Sequence, residues 1–139
     1  MAINSRSKGQ RGEREVRDIL QTYVDIVADE LRLPFAPEIK RNLVQSREGG
    51  HDLVGLPGLA VEVKFCETLQ IDKWWEQTLQ QASRARATPV LIYRRKNQKW
   101  KVVMLGTLPC GAVGVPCRVE VSLETFIDWF VQHLHLSLG

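Results

Sequence analysis

Apolar residues at Val16, Leu20, Tyr23, Val27 and Leu31 recur at three- and four-residue intervals, the spacing that lines one face of an α-helix. A helix is predicted over residues 10–31, after Ser7 to Gly9 and up to "LPFAP". Proline cannot continue a helix and disfavours α geometry in the residue before it. At Leu59 the period changes from helical to alternating. In Leu59-Ala60-Val61-Glu62-Val63-Lys64, a strand points Val61 and Val63 one way and Glu62 and Lys64 the other. A first strand is expected over Ile39–Gln45, then a loop through Gly49-Gly50. Two antiparallel strands, Asp52–Gly55 and Leu59–Lys64, follow, joined through Leu56-Pro57-Gly58.

A second helix over Ile71–Ala87 turns Ile71, Trp74, Trp75, Thr78, Ala82 and Ala85 inward. Pro89–Tyr93 reads as a short apolar strand and Trp100–Leu105 as another, with the Lys96–Lys99 turn between them. "LPCGAVGVPC", residues 108–117, reads as a loop, or a loop with a weak strand. Ser122 reads as the N-cap of a last helix carrying Phe126, Ile127, Trp129, Phe130 and Leu134. The order α-β-β-β-α-β-β-α describes an α/β chain: a mixed sheet carrying helices. The second helix is the natural crossover between parallel strands.

At 139 residues the chain is expected to be one domain, residues 1–139, with a core over about 8–105 and an extension over 106–139. No apolar run approaches the ~20 residues of a membrane span, and the N-terminus lacks a signal-peptide stretch. A cytoplasmic protein is expected. Three cysteines, Cys66, Cys110 and Cys117, suit that reading, because an odd count argues against a secreted disulfide framework.

Net charge is only +3, but it is unevenly spread. Arg6, Lys8, Arg11, Arg14 and Arg17 crowd the N-terminus, and Arg94, Arg95, Lys96, Lys99 and Lys101 surround Trp100 in "RRKNQKWK". Such clusters suit a phosphate backbone, as they would a solvated hairpin tip.

A three-residue turn at 56–58 sets Asp52 directly opposite Glu62, on the face that also carries Lys64. Two carboxylates so placed repel, so one is protonated or a cation lies between them. Lys64 offsets only half of that charge. A hard ion such as Mg²⁺ suits the oxygen ligands; a solvent-exposed strip of salt bridges is the plainer alternative. On the first helix Glu13 projects with the apolar stripe and Glu15 toward solvent. Glu13 could instead complement the helix dipole. Gln81 projects near Trp74 and Thr78, where an amide could orient a water or a phosphate, or simply sit at a core boundary. Cys110, Cys117, His133 and His135 fit no common zinc spacing and read as structural. His51 is a loop histidine beside Asp52.

Glu13, Asp52, Glu62 and Lys64 together resemble the PD-(D/E)xK nuclease superfamily, whose αβββαβ core matches the order from residue 10 to 93. Within it the chain resembles archaeal-type Holliday junction resolvases and their small phage-encoded relatives. Their K-G-x-x-x-E-R-E is matched by Lys8-Gly9-Gln10-Arg11-Gly12-Glu13-Arg14-Glu15, their D-L-V by Asp52-Leu53-Val54, and their E-V-K by Glu62-Val63-Lys64. His51 stands where the family has a proline, and the chain beyond Leu105 has no counterpart.

The resemblance implies a restriction-endonuclease-like fold and a Mg²⁺-dependent DNA endonuclease, with Mn²⁺ as a substitute. Its substrate would be branched four-way junctions, and its place the host cytoplasm if phage-encoded. Asp52 and Glu62 would bind the metal, Glu13 would serve as a third carboxylate, and Lys64 and Gln81 would assist. Lys8, Arg11, Ser46, Arg47, Arg94, Arg95, Lys96, Lys99 and Lys101 would contact DNA. A junction is two-fold symmetric, which implies a homodimer. The last helix, with Trp129, Val131 and Leu136 besides its core stripe, is a candidate contact unless both its sides pack at home. A duplex-cutting restriction or repair nuclease and a catalytically silent nucleic-acid-binding module are the alternatives.

Overall fold

The computed structural model describes residues 5–42 and 52–139. The first helix, α1 (Ser5–Glu30), starts earlier than its apolar stripe suggests, running through Gly9 and Gly12. Gly12 is buried, and a side chain there would press on Phe65 and Trp100, so its lack of a Cβ lets the helix lie close to the sheet. Val16, Leu20, Val24 and Val27 form the buried stripe.

Short strands β1 (Lys40–Arg41) and β2 (Leu53–Val54) lead to β3 (Leu59–Phe65). Of the expected first strand, residues 43–45 lie outside the described residues. Helix α2 (Ile71–Ala85) ends where Arg86 turns left-handed at φ 53°, two residues short of expectation. Trp74, Trp75, Thr78 and Ala82 are buried as expected, whereas Ala85 is exposed in the last turn. Strands β4 (Thr88–Arg94) and β5 (Lys101–Leu108) follow.

A further strand, β6 (Val115–Ser122), and helix α3 (Leu123–Leu138) complete the chain. The sequence predicts a loop, or a loop with a weak strand, over residues 108–117 and assigns nothing to residues 118–121. Here they continue an eight-residue strand, its alternation visible in Arg118-Val119-Glu120-Val121. Ser122 caps α3 as expected, its Oγ accepting from the Thr125 amide at 3.1 Å.

The sheet runs β1-β2-β3-β4-β5-β6. Only β3 and β4 are parallel, with α2 as their crossover. One face packs Val61, Val63, Val90, Ile92, Val102 and Met104 against α1 and α3. The other packs Leu91, Tyr93 and Val103 against Trp74 and Trp75 of α2. That second face carries Glu62 and Lys64.

In α3, Phe126, Ile127, Phe130 and Leu134 are buried, and Trp129 and Val131 pack beside them. The surplus apolar surface of this helix is thus largely spent inside its own chain, with Leu136 left 87% exposed.

Candidate active site

Three side chains spaced four residues apart on α1 orient the site. Gln21 bonds the Ile39 amide at 2.8 Å and the Pro37 carbonyl at 2.9 Å. Arg17 Nε donates to the Ile39 carbonyl at 2.8 Å. Glu13 Oε2 accepts from Arg41 Nε at 3.1 Å. Four-residue spacing puts all three on one helical face, so α1 fastens along the segment entering β1 and aims Glu13 at the sheet edge.

The β2–β3 turn then sets the register. Gly55 has φ +94°, and a side chain there would collide with the Glu38 carbonyl. Gly58 has φ +67°, and its carbonyl accepts from the Thr88 amide at 2.8 Å, tying the turn to β4. His133 of α3 reaches the Pro57 carbonyl at 2.6 Å. Leu53 pairs with Val61, and the Asp52 amide donates to the carbonyl of that same Val61. Asp52 thus stands at an irregular step beside Glu62 rather than in the regular opposition expected from the turn length.

Asp52 is held by main chain on both sides. Its amide donates to the Val61 carbonyl at 2.9 Å, and its carbonyl accepts from the Asn42 amide at 2.8 Å. Its Oδ2 accepts from the Val63 amide at 2.6 Å. Asp52 and Glu62 are each 4% exposed. A solvent-exposed salt-bridge strip is therefore excluded.

Burial first, and then the Asp52 charge, push the Glu62 carboxyl up to about 9, against a smaller opposing pull from Lys64. The two neighbouring carboxyl groups therefore favour sharing a proton at neutral pH, Glu62 lying in hydrogen-bond contact with Asp52. Burial and Asp52 also raise Glu13, with Arg41 and Lys64 pulling the other way. The field of one carboxylate is felt at the other two.

No three carboxylate, imidazole or thiol groups among the described residues form a ready-made metal cluster. Asp52 and Glu62 make the close pair, while Glu13 leans to Arg41. A pair of carboxylates fits Mg²⁺, which is commonly held by one or two carboxylates. The cysteines and C-terminal histidines do not assemble: His135 pairs with Glu30 at 3.0 Å, and His133 holds the turn.

Gln81 is half-buried on α2, and its Oε1 is buried without a hydrogen-bond partner among the described residues. Ser46, Arg47 and His51 lie outside the described residues.

The basic residues separate into two groups. Arg11, Arg95, Lys96, Lys99 and Lys101 are exposed. Lys8 and Arg94 are engaged internally, contrary to a picture of free surface cations. Lys8 pairs with Glu67 over the Phe65 ring. Arg94 pairs with Glu15 at 3.0 Å and lies 4.0 Å from the Phe65 ring centre. Glu15, expected to face solvent, also accepts from Trp100 Nε1 at 3.0 Å. The helical wheel placed Glu15 off the main stripe, and a second neighbour, the β4–β5 connection, meets it there.

Arg41 is the site residue the sequence did not single out. A lone basic residue entering a short strand carries no pattern, and only the α1–β1 register brings it to Glu13.

The sequence of residues 4–108 matches the family described as "Phage putative PDDEXK endonuclease". The chain belongs to this family. The PDDEXK match spans α1 to β5, all the strands and helices that position Glu13, Asp52, Glu62 and Lys64. Protein D14 of Escherichia phage T5 is 25% identical over 122 residues, covering 75% of this chain and 72% of that protein. The crystal structure of Hjc from Archaeoglobus fulgidus, a Holliday junction resolvase, superposes with a TM-score of 0.52 at 17% identity. It covers 86% of this PDDEXK chain and 98% of Hjc, a likeness of fold. The restriction-endonuclease-like α/β architecture is thus established. No described helix is long and apolar enough to cross a membrane.

Proposed function

We propose that this PDDEXK nuclease is a Mg²⁺-dependent, structure-selective DNA endonuclease that resolves four-way junctions as a homodimer in the cytoplasm of a bacterial host. The buried, adjacent Asp52–Glu62 pair carries the reading. Such a pair is costly to keep unless a cation or proton compensates it, and Lys64 offsets only half of it.

Asp52 and Glu62 would hold the metal, with Glu13 joining directly or through water. A bound divalent ion supplies Lewis acidity at the scissile phosphate and an acidified water as nucleophile. Asp52, anchored by the Val63 amide, fixes the position of the site. With a cation bound, Glu62 would be the carboxylate that has lost its proton. Lys64 faces the charge that develops on the phosphoryl oxygens or helps orient the water. The orphan Gln81 carbonyl oxygen is suited to accept from that water. Arg11, Arg95, Lys96, Lys99 and Lys101 track the DNA backbone together with Ser46 and Arg47, and Lys8 and Arg94 add charge from beneath.

The test is a panel of four-way junction, duplex, flap and single-stranded DNA, each with Mg²⁺ and with chelator. Mg²⁺-dependent paired cutting of the junction is expected. Equal cutting of plain duplex would favour a restriction or repair nuclease, and no cutting with intact binding would favour a silent module.

A further inference from the structure

We propose that the free edge of β6 is a self-pairing edge. Two copies of this chain would join antiparallel about a two-fold axis at Val119, continuing one sheet through both. The proposal rests on the resolvase reading, which requires two sites, and it locates their junction in the part of the chain beyond the family match.

Among the described residues β6 is the last strand of the sheet, eight residues long and bonded only to β5. An edge of that length is open to another strand unless something blunts it. A two-fold axis perpendicular to the sheet preserves faces, so residues opposed across it must come from the same face of β6. Four central registers satisfy that condition. With Cys117 opposite itself, Arg118 falls against Pro116 and no charges pair. With Arg118 opposite itself, two guanidinium groups meet. With Glu120 opposite itself, two carboxylates meet. With Val119 opposite itself, Arg118 falls against Glu120 of the partner subunit, and the reverse contact follows by symmetry. Opposite charges directly across an antiparallel pair stabilise it and like charges destabilise it. The strand's own sequence therefore selects the Val119 register.

Pro116 fixes which side of β6 faces outward, and it costs the paired edge one donor at each end. It has no amide hydrogen to give β5, and proline in a sheet turns its nitrogen to an open edge. Residues 116, 118, 120 and 122 then present their main-chain groups outward. Arg118 and the partner's Glu120 become a hydrogen-bonded pair. The two Val119 residues form the closer, non-hydrogen-bonded pair, with Cα atoms about 4.5 Å apart.

The ends of the strand complement each other as well. Leu108, Val113 and Val115 at the β5–β6 hairpin end are 56%, 90% and 48% exposed. An open groove of about 550 Å³ lies between α1 and α3, lined by Ile19, Tyr23, Leu123, Ile127 and Val131. Val115 shares a sheet face with Val119 and Val121, the face on which α1 and α3 pack. In the Val119 register Val115 falls against Leu123 of the partner subunit, where that groove opens. Each copy thus supplies an apolar tip and receives one, as an isologous interface requires. Both Asp52–Glu62 faces then look the same way. From β3 to the partner's β3 the sheet crosses seven strand spacings, roughly 34 Å at ~4.8 Å each.

Cysteine cross-linking tests the register in a chain with Cys66, Cys110 and Cys117 changed to serine. Val119→Cys should oxidise to a covalent dimer, because the axial separation lies in the disulfide range. Val121→Cys should not link to its own copy. Charge reversal is the second arm, read by light scattering on the full chain. Arg118→Glu and Glu120→Arg should each lower the mass toward the 15.9 kDa monomer, and the double reversal should restore twice that mass. Arg118 also pairs with Asp72, and Glu120 accepts from Tyr93, so melts accompany each variant. A wild-type dimer with no Val119→Cys cross-link and no response to reversal would overturn this interface and leave the resolvase reading standing. A wild type that stays monomeric on junction DNA and nicks one strand would overturn both.

Discussion

Arg41 on β1 holds Glu13 of α1 through an ion pair with a 3.1 Å N···O distance, both side chains less than one-fifth exposed. The same glutamate feels the negative charge of Asp52. Arg41 and an incoming divalent cation therefore compete for one carboxylate.

Replacing Arg41 with alanine should tighten Mg²⁺ binding by about fivefold, roughly 1 kcal/mol, the scale of a partly exposed ion pair. It should also raise the Glu13 pKa further, since Arg41 lowers it by hydrogen bond and by charge. Calorimetric titration of wild type and Arg41→Ala measures the affinity. Unchanged or weaker binding would mean Arg41 does not oppose the cation.

The pH response follows from Glu62. Its carboxyl titrates near 4.5 in the unfolded chain and is pushed up to about 9 in the fold. Between those values the folded chain keeps a proton that the unfolded chain has released, so metal-free stability falls as pH rises through that window. Glu62→Gln removes the penalty and should raise the melting temperature at pH 8 by about 5 °C in chelator, on the scale of 1–2 kcal/mol for a domain of this size. Mg²⁺ should stabilise wild type and do little for Glu62→Gln. Thermal melts across pH with and without Mg²⁺ check each sign.

Metal entry should also release a proton from Glu62 at neutral pH. The observed binding enthalpy should then change with the ionisation enthalpy of the buffer, and that dependence should vanish in Glu62→Gln. A buffer-independent enthalpy in wild type would place the proton elsewhere.

Lys64 and the β4–β5 lysines should separate in their effects. Lys64→Ala should slow single-turnover cleavage by at least about 100-fold with little change in binding, because it acts on transition-state charge. Lys99→Ala with Lys101→Ala should weaken DNA binding and reduce the salt slope by up to about 2, one for each lost phosphate contact. Equal effects on the rate at saturating protein would contradict this division.

Much of this arrangement was legible before any coordinates. The three-residue turn and strict alternation put Asp52 beside Glu62, because a slip of one residue flips side chains to the other face. Helical spacing put Glu13 inward for the same kind of reason. Neither the turn nor the alternation encoded the irregular step at Asp52, whose amide bonds the Val61 carbonyl. Contacts between distant elements were not legible. Arg41 meets Glu13, and Arg94 turns in to Glu15, only once α1 lies along β1 and β4, and no local period encodes that. Strand β6 was legible only as a weak strand after a loop, for a different reason. Gly111, Gly114 and Pro116 carry loop signals across its start, while four alternating residues at 118–121 are too few to stand alone.

The central claim, that the Asp52–Glu62 pair is a metal-dependent nuclease centre, is tested most directly by single-turnover cleavage of a four-way junction by wild type and Asp52→Asn, each with Mg²⁺ and with chelator. Asp52→Asn keeps the shape and removes the charge. Wild type should cut only with Mg²⁺, and Asp52→Asn should bind the junction at least as tightly yet cut it at least about 1,000-fold more slowly, the scale of losing an essential electrostatic contact. Cleavage by Asp52→Asn at the wild-type rate, or by wild type in chelator, would contradict it.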